Sequence, residues 1–512
     1  MKLGIDFGTT RTVVAGAIQG RYAIASFMTR GGYAEYLPGL VGCSEGQLIL
    51  GVEAGQVLEG SQQVIRSLKR SASRVSHTAT PDELAGSSWP SLDLVTEYLR
   101  FVKRTILEQS NLDVPPGEPL ETMIAVPAHA TTRQRFLTLE AFKRAGFEVL
   151  GLLNEPTAAA VEFARRHLGI LQRRSPKRYL VVYDLGGGTF DSAAVSLEGR
   201  RFELLTTAGL PDVGGDDFDE LLLRLALERA SVEDAFHPTT RVALLQLCQE
   251  SKESLNPASK KLLVDLSRCV AEVDPVVIDV RDYYALCAPL VERTVRETQV
   301  VLEQLRGWGI DPTQTREMGA VYLVGGGSAF PPVARRLRDA FGRKVELALQ
   351  PHAATAVGLA VAADPEAGIF LRERVTRFFG VWRDAYSGTE QWFDLLFSRG
   401  DGARQDGDSV VVERRYAARH AVGNLRFIEC SKLTHSGEPA GDLTPWGEVF
   451  FPYSPAFDGE LDAERLREAC SREHTPCEIV ETYSYARDGS VSVTIRNCSL
   501  GYQRHYSLGD LC

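Results

Sequence analysis

Two short stretches hold residue types suited to a polyphosphate and its counter-ion. The first to stand out is Asp184-Leu185-Gly186-Gly187-Gly188-Thr189-Phe190-Asp191, between the apolar run 179–183 and a second β-like run at 192–195. This reads as a hairpin whose glycine turn lets backbone come close to a ligand and points N–H groups into one concavity, a fit for phosphate. Thr189 adds a hydroxyl. Asp184 and Asp191 flank the turn, and carboxylates are what Mg²⁺ takes beside a polyphosphate. The second stretch lies at the N-terminus. There 2–5 is a strand, Asp6-Phe7-Gly8-Thr9-Thr10 a turn and 12–15 a return strand. Both share Asp-apolar-Gly followed by Gly or Thr, so two similar lobes are expected to close on one nucleotide.

The elements that must position these turns alternate in type. Helical spacing covers 92–109 and 132–145, and later 217–230, 241–255 and 283–306. Strands are expected across 261–280 and at 321–324. The latter leads into Gly325-Gly326-Gly327-Ser328 and a helix opened by Pro331-Pro332. A small-residue helix is expected over 353–363. The basic run 173–178 reads as a solvated connection between lobes. After about residue 365 strand-like runs dominate, at 378–382, 409–413, 424–429, 448–451, 479–485 and 490–496, and Arg487-Asp488-Gly489 reads as a hairpin turn. The tail is expected to be an antiparallel β domain.

With 512 residues the chain is too long for one core. Hydrophobic content of 44% and charged content of 24% describe a globular protein. The net charge of −10 argues against nucleic acid or anionic membrane as a partner, since no basic excess is available to neutralise phosphates. No secretory leader or membrane span is readable, and nine scattered cysteines lack any CxxC pair, so a cytoplasmic location with reduced thiols is expected.

In order along the chain, further motifs join the two turns: 65–70 (Ile-Arg-Ser-Leu-Lys-Arg), Val126-Pro127-Ala128, Asn154-Glu155-Pro156-Thr157-Ala158-Ala159-Ala160, Gly214-Gly215-Asp216-Asp217-Phe218-Asp219 and Gly325–Ser328. Over about residues 2–362 the sequence resembles the DnaK-type chaperone family of the actin, sugar-kinase and chaperone ATPase superfamily. The resemblance implies an α/β fold: a two-lobed actin-like ATPase domain with duplicated phosphate-binding hairpins over 1–362, a linker over 363–374, and an antiparallel β-sandwich over 375–512. It implies ATP/ADP and Mg²⁺ as ligands. It assigns Asp6 and Asp184 to the hydrated metal and Lys69 to the γ-phosphate and attacking water. Glu155 and Asp191 would position water and metal, and Thr189 would meet the γ-phosphate. Gly8, Thr9, Thr10, Gly186, Gly187 and Gly188 would cradle phosphates, with Gly214 and Gly215 behind them. Lys252, Gly325 and Gly326 would lie on the nucleoside side. Pro127 and Arg135 match positions that relay nucleotide state. Asp216 and Asp219 read instead as helix caps.

The chain also departs from the family. Gln249 and Glu253 stand where an acidic residue and an arginine are expected around Lys252, and Ala329 stands for a second arginine. Adenine is therefore expected to bind more weakly, or around Phe330. His352 replaces an Asp and reads as a packing residue. The family's acidic, leucine-rich linker is absent, which weakens the case for a J-domain or nucleotide-exchange helper. No helical lid is expected after the β domain. The favoured reading is a slow ATPase whose nucleotide state controls a lidless client-binding β domain. The alternative is a nucleotide-sensing scaffold for a dedicated protein partner, and a small-molecule kinase ranks third.

Overall fold

Lys2–Phe7 and Arg11–Ile18 pair antiparallel, with Phe7 opposite Thr12 across the first turn. Tyr179–Leu185 and Phe190–Glu198 pair the same way, with Leu185 opposite Phe190. The computed structural model containing these hairpins describes residues 1–29, 32–44, 46–51, 63–76, 78–84, 87–167, 177–314, 316–372, 374–385, 390–402, 409–457, 462–470, 472–486 and 489–508. The basic run 173–178 therefore lies mostly outside the described residues, as do Arg487 and Asp488.

The chain forms two compact units, residues 1–128 with 137–372 and residues 129–136 with 373–512. Inside the first unit the duplication extends well beyond the turns. One sheet runs Glu148–Asn154, Glu121–Val126, Lys2–Phe7, Arg11–Ile18, Arg21–Ile24. The other runs Val345–Leu347, Met318–Val324, Tyr179–Leu185, Phe190–Glu198, Arg201–Leu210 and then Phe370–Arg372. In both, the strand entering the phosphate turn pairs in parallel with a later strand. Every residue of Tyr179–Leu185 is buried, Asp184 included, which fits the unbroken apolar run 179–183: helices cover both faces of such a strand. Phe370–Arg372 pairs in parallel with Arg201–Glu203, so part of the segment expected as linker is an edge strand of the first unit.

The expected helices form at Ser91–Gln109, Thr132–Arg144, Gly215–Ala230, Pro238–Glu253, Val280–Gln304 and Ala354–Ala363. The strands expected across 261–280 are a short hairpin, Lys261–Val264 with Val276–Asp279. Small residues set how closely the lobes approach. Helix Ala354–Ala363 packs on helix Glu155–Arg166, and a Cβ on Gly358 would lie 1.8 Å from the Ala158 carbonyl oxygen. Backbone against backbone has no side chain to yield. Gly358→Ala is therefore expected to cost upwards of about 3 kcal/mol. Thermal unfolding should show a fall of at least about 5 °C, and an unchanged melting temperature would contradict this packing.

The second unit has two antiparallel sheets. One runs Glu390–Phe397, Phe378–Ala385, Val422–Leu433, Pro439–Pro452; the other runs Ser409–His420, Glu473–Ala486, Val491–Asn497, Tyr502–Ser507. Phe379, Val381, Phe427 and Phe451 from the first meet Ile479, Tyr483, Val493 and Ile495 from the second in one core, so the unit is a β-sandwich. The strands around the 487–489 turn do form a hairpin, with Gly489 N–H donating to Ala486. A short helix, Ala463–Ala469, interrupts the strands and was not anticipated.

Candidate functional site

The two glycine turns close by the same hydrogen bond. Gly8 N–H donates to the Arg11 carbonyl at 3.0 Å, and Gly186 N–H donates to the Thr189 carbonyl at 3.0 Å. Among the described residues, the N–H groups of Thr9, Thr10, Gly187 and Gly188 have no hydrogen-bond partner. Four uncommitted donors on facing turns suit an anion with several oxygens. The turns lie against each other: a Cβ on Gly187 would fall 2.3 Å from Thr10 Oγ1, and one on Gly188 would fall 2.6 Å from Thr9 Cγ2. The second turn is braced from behind. Gly215 N–H donates to Gly186 at 2.9 Å and Asp216 N–H to Gly187 at 2.7 Å, while a Cβ on Gly214 would strike the Gly187 carbonyl at 2.4 Å. Gly325 has φ +80° and comes so close to Asp184 that a Cβ would sit 2.4 Å from its carboxylate.

Beside these turns Asp6, Asp184 and Glu155 feel one another's charge and that of Lys69, and Asp191 adds its charge to Asp184. Lys69 Nζ donates to Glu155 Oε1 at 2.9 Å, and Glu155 opens helix Glu155–Arg166 with Pro156 behind it. Asp6 and Asp184 end the two entering strands. Desolvation, the Glu155 charge and, against them, the Lys69 charge bring Asp6 from 3.8 up to about 7. Desolvation raises Asp184 well above the usual carboxylate range, and Glu155, Asp6 and Asp191 add to the rise. Like charges held this close are relieved by a cation. Among the described residues no group of three or more His, Cys, Asp or Glu is close enough to hold a metal directly. The Asp6 and Asp184 pair fits an ion that keeps most of its water.

The flank of the second lobe corrects several readings. Asp216 and Asp219 are not caps. Asp216 takes Arg66 at 2.9 Å and the Ser67 hydroxyl at 2.6 Å, and Asp219, 1% exposed, takes Arg66 and Lys252. The cap is Asp217, which accepts from Gly214 N–H at 2.8 Å. Arg66 and Gln249 were missed as members of this network, in which Arg66 also donates to Gln249 at 3.0 Å. Lys252 is buried, bonded to the Gly215 carbonyl at 2.8 Å and to Asp219, so it supports the second turn from behind. Phe330 does not offer a face to adenine. It is buried among Phe218, Tyr283 and Tyr284. His352 pairs with Glu35 at 3.2 Å at the surface rather than packing. Glu253 accepts from Arg11 at 2.6 and 2.5 Å, an ion pair between the lobes.

Comparison with known proteins adds an independent line. A family model described as Hsp70 protein matches residues 116–375. The chain is 28% identical over 369 residues to a protein named chaperone protein DnaK from Metamycoplasma hominis, covering 70% of this chain and 58% of that protein. It is 30% identical over 408 residues to a chaperone protein HscA homolog from Azotobacter vinelandii, covering 72% of this chain and 58% of the relative. A chaperone protein HscA homolog from Tolumonas auensis is 29% identical over 397 residues, with coverages of 74% and 61%. The chain thus spans less than two thirds of the length of these relatives.

Proposed function

Because this chain belongs to the Hsp70 family, we propose that it is a slow Mg²⁺-dependent ATPase whose nucleotide state controls polypeptide binding by residues 375–512. The observation that carries the reading is the pair of facing turns with uncommitted N–H groups, next to Asp6 and Asp184, on which the charges of Lys69 and Glu155 act. On this reading the N–H groups of Thr9, Thr10, Gly187 and Gly188 hold the phosphate chain. Lys69 balances charge gathering on the γ-phosphoryl oxygens, and Thr189 donates its hydroxyl to the same group. Glu155, held by Lys69, orients the attacking water together with Asp191. These contacts position the reactants and stabilise charge, which is most of what phosphoryl transfer asks of a protein. Asp6 and Asp184 would hold Mg²⁺ through its waters; when bound, the ion neutralises phosphate charge. On the nucleoside side Gly325 lies against Leu185 and Asp184, and Gly326 leaves room. Cytoplasmic location belongs to the same proposal; no helix among the described residues is long and apolar enough to cross a membrane. Single-turnover hydrolysis with protein in excess tests it. ADP and phosphate should form slowly and stop when Mg²⁺ is chelated; absence of turnover would contradict the ATPase assignment.

A pH dependence follows from Asp6. With its pKa raised from 3.8 to about 7, the native state keeps a proton that the unfolded chain has lost. The contribution of this group to stability therefore falls as pH rises from about 4 to 7. Mg²⁺ favours the ionised form, so binding of Mg²⁺–ADP at pH 7 is expected to release protons and to tighten as pH rises through 7. Calorimetry in buffers of different ionisation enthalpy reads the released fraction. It should shrink in Asp6→Asn; equal release in both proteins would contradict the assignment.

The edge strand Phe370–Arg372, formed where the family's linker would run, favours a second reading, a nucleotide-sensing scaffold for one dedicated partner. In that case Lys69→Ala leaves partner capture intact and unfolded polypeptides do not bind.

A further inference from the structure

We infer that Arg11 is the residue that recognises the nucleoside end of the bound nucleotide, held in place by Glu253 and Tyr36. The inference rests on the ATP-binding reading of the cleft. Arg11 is the fourth residue of the first turn, at the place Thr189 takes in the second, because the two turns close by matching bonds, Gly8 to Arg11 and Gly186 to Thr189. A side chain at that place leaves from the rim of a phosphate turn. Here it crosses to the other lobe, where Nη2 donates to both Glu253 oxygens, at 2.6 and 2.5 Å. Glu253 is itself steadied by Gln249 at 2.9 Å. The guanidinium carbon lies 4.2 Å from the centre of the Tyr36 ring.

These contacts commit Nη2 and one face of the group. The rest is uncommitted. Nε is buried and has no hydrogen-bond partner among the described residues. Nη1 lies 3.7 Å from where a Cβ on Gly326 would sit, and nothing else comes within 4 Å of that point. A guanidinium fixed through Nη2, with its Nη1 N–H groups unspent beside an open glycine, is a preorganised donor for ligand acceptors. The ligand it fits is a nucleoside di- or triphosphate, whose α-phosphate, ribose and base continue past the turns, rather than a bare polyphosphate. Arg11 thereby supplies from the first lobe a guanidinium at the cleft, whose second lobe carries Glu253 and Ala329 where arginines would be expected.

Calorimetric titration with Mg²⁺–ADP and with Mg²⁺–pyrophosphate tests this. Arg11→Ala is expected to weaken ADP about tenfold, the scale of a guanidinium contact. Pyrophosphate affinity should stay within about twofold, since the turns remain intact. Arg11→Lys keeps the charge without the planar guanidinium that Glu253 and Tyr36 hold in place, and should match Arg11→Ala. Unchanged ADP affinity in Arg11→Ala, equal loss for both ligands, or full retention in Arg11→Lys would each overturn the inference while leaving the ATP reading in place. A wild-type chain that binds neither ligand would overturn the ATP reading and this inference with it.

Discussion

Lys69→Ala is expected to slow single-turnover ATP hydrolysis by about 100-fold or more, the scale seen when one preorganised charge is removed from a reacting oxyanion. Nucleotide affinity should change far less, because the turn N–H groups hold the phosphates independently of Lys69. The side chain is in a setting that makes this loss large. It is 12% exposed and bonded at 2.9 Å to Glu155, which is 11% exposed, so water cannot readily replace the charge. The same change leaves Glu155 without its ammonium partner, so thermal unfolding must be read beside the rate. Glu155→Gln, which keeps the shape and a hydrogen bond to Lys69, should also slow hydrolysis while melting near the wild type. A Lys69→Ala protein with wild-type turnover would remove Lys69 from the chemistry.

The second large effect lies in the β-sandwich. Its two sheets share a buried ionic network. Arg383 pairs with Asp394 at 2.8 Å and with Glu481 at 2.7 Å, and Arg414 holds Asp394 at 2.9 Å. Glu481 has 0% exposure and also accepts from the hydroxyls of Tyr416 at 2.6 Å and Tyr483 at 2.8 Å. Arg383→Ala would leave that carboxylate buried with only two phenols. The expected cost is about 3–5 kcal/mol, because breaking a buried pair strands a charge. Urea unfolding followed by tryptophan fluorescence is suited to the measurement, since Trp382, Trp392 and Trp446 all lie in this unit. A shift of less than about 1 kcal/mol would mean that solvent or another cation compensates Glu481.

What could be read from the chain follows from how local each feature is. The paired glycine hairpins were legible because Asp-x-Gly and the residues after it carry their own geometry, and the duplicated sheet order bears out the pairing. Lys69 and Glu155 are 86 residues apart, and only the family resemblance pointed to both. Arg11 and Glu253 are 242 positions apart on different lobes, so the substitution at 253 looked like a loss when it is half of an ion pair. Asp216 and Asp219 looked like caps because acidic residues are common in first helical turns; Arg66, far off in sequence, claims both. In the tail, Arg383, Asp394, Arg414 and Glu481 sit among alternating strand residues where charge normally marks the solvent face. Pairing between sheets turned that face inward, and no local pattern announces it.

The most direct test of the account is the affinity of the full chain for a protein held permanently unfolded by reduction and carboxymethylation, measured in ATP and in ADP with Lys69→Ala used to keep ATP intact. Affinities in the two states are expected to differ by about tenfold or more, a coupling on the order of 1.4 kcal/mol between nucleotide and client. Equal affinity in both states, or no binding in either, would contradict nucleotide control of polypeptide binding.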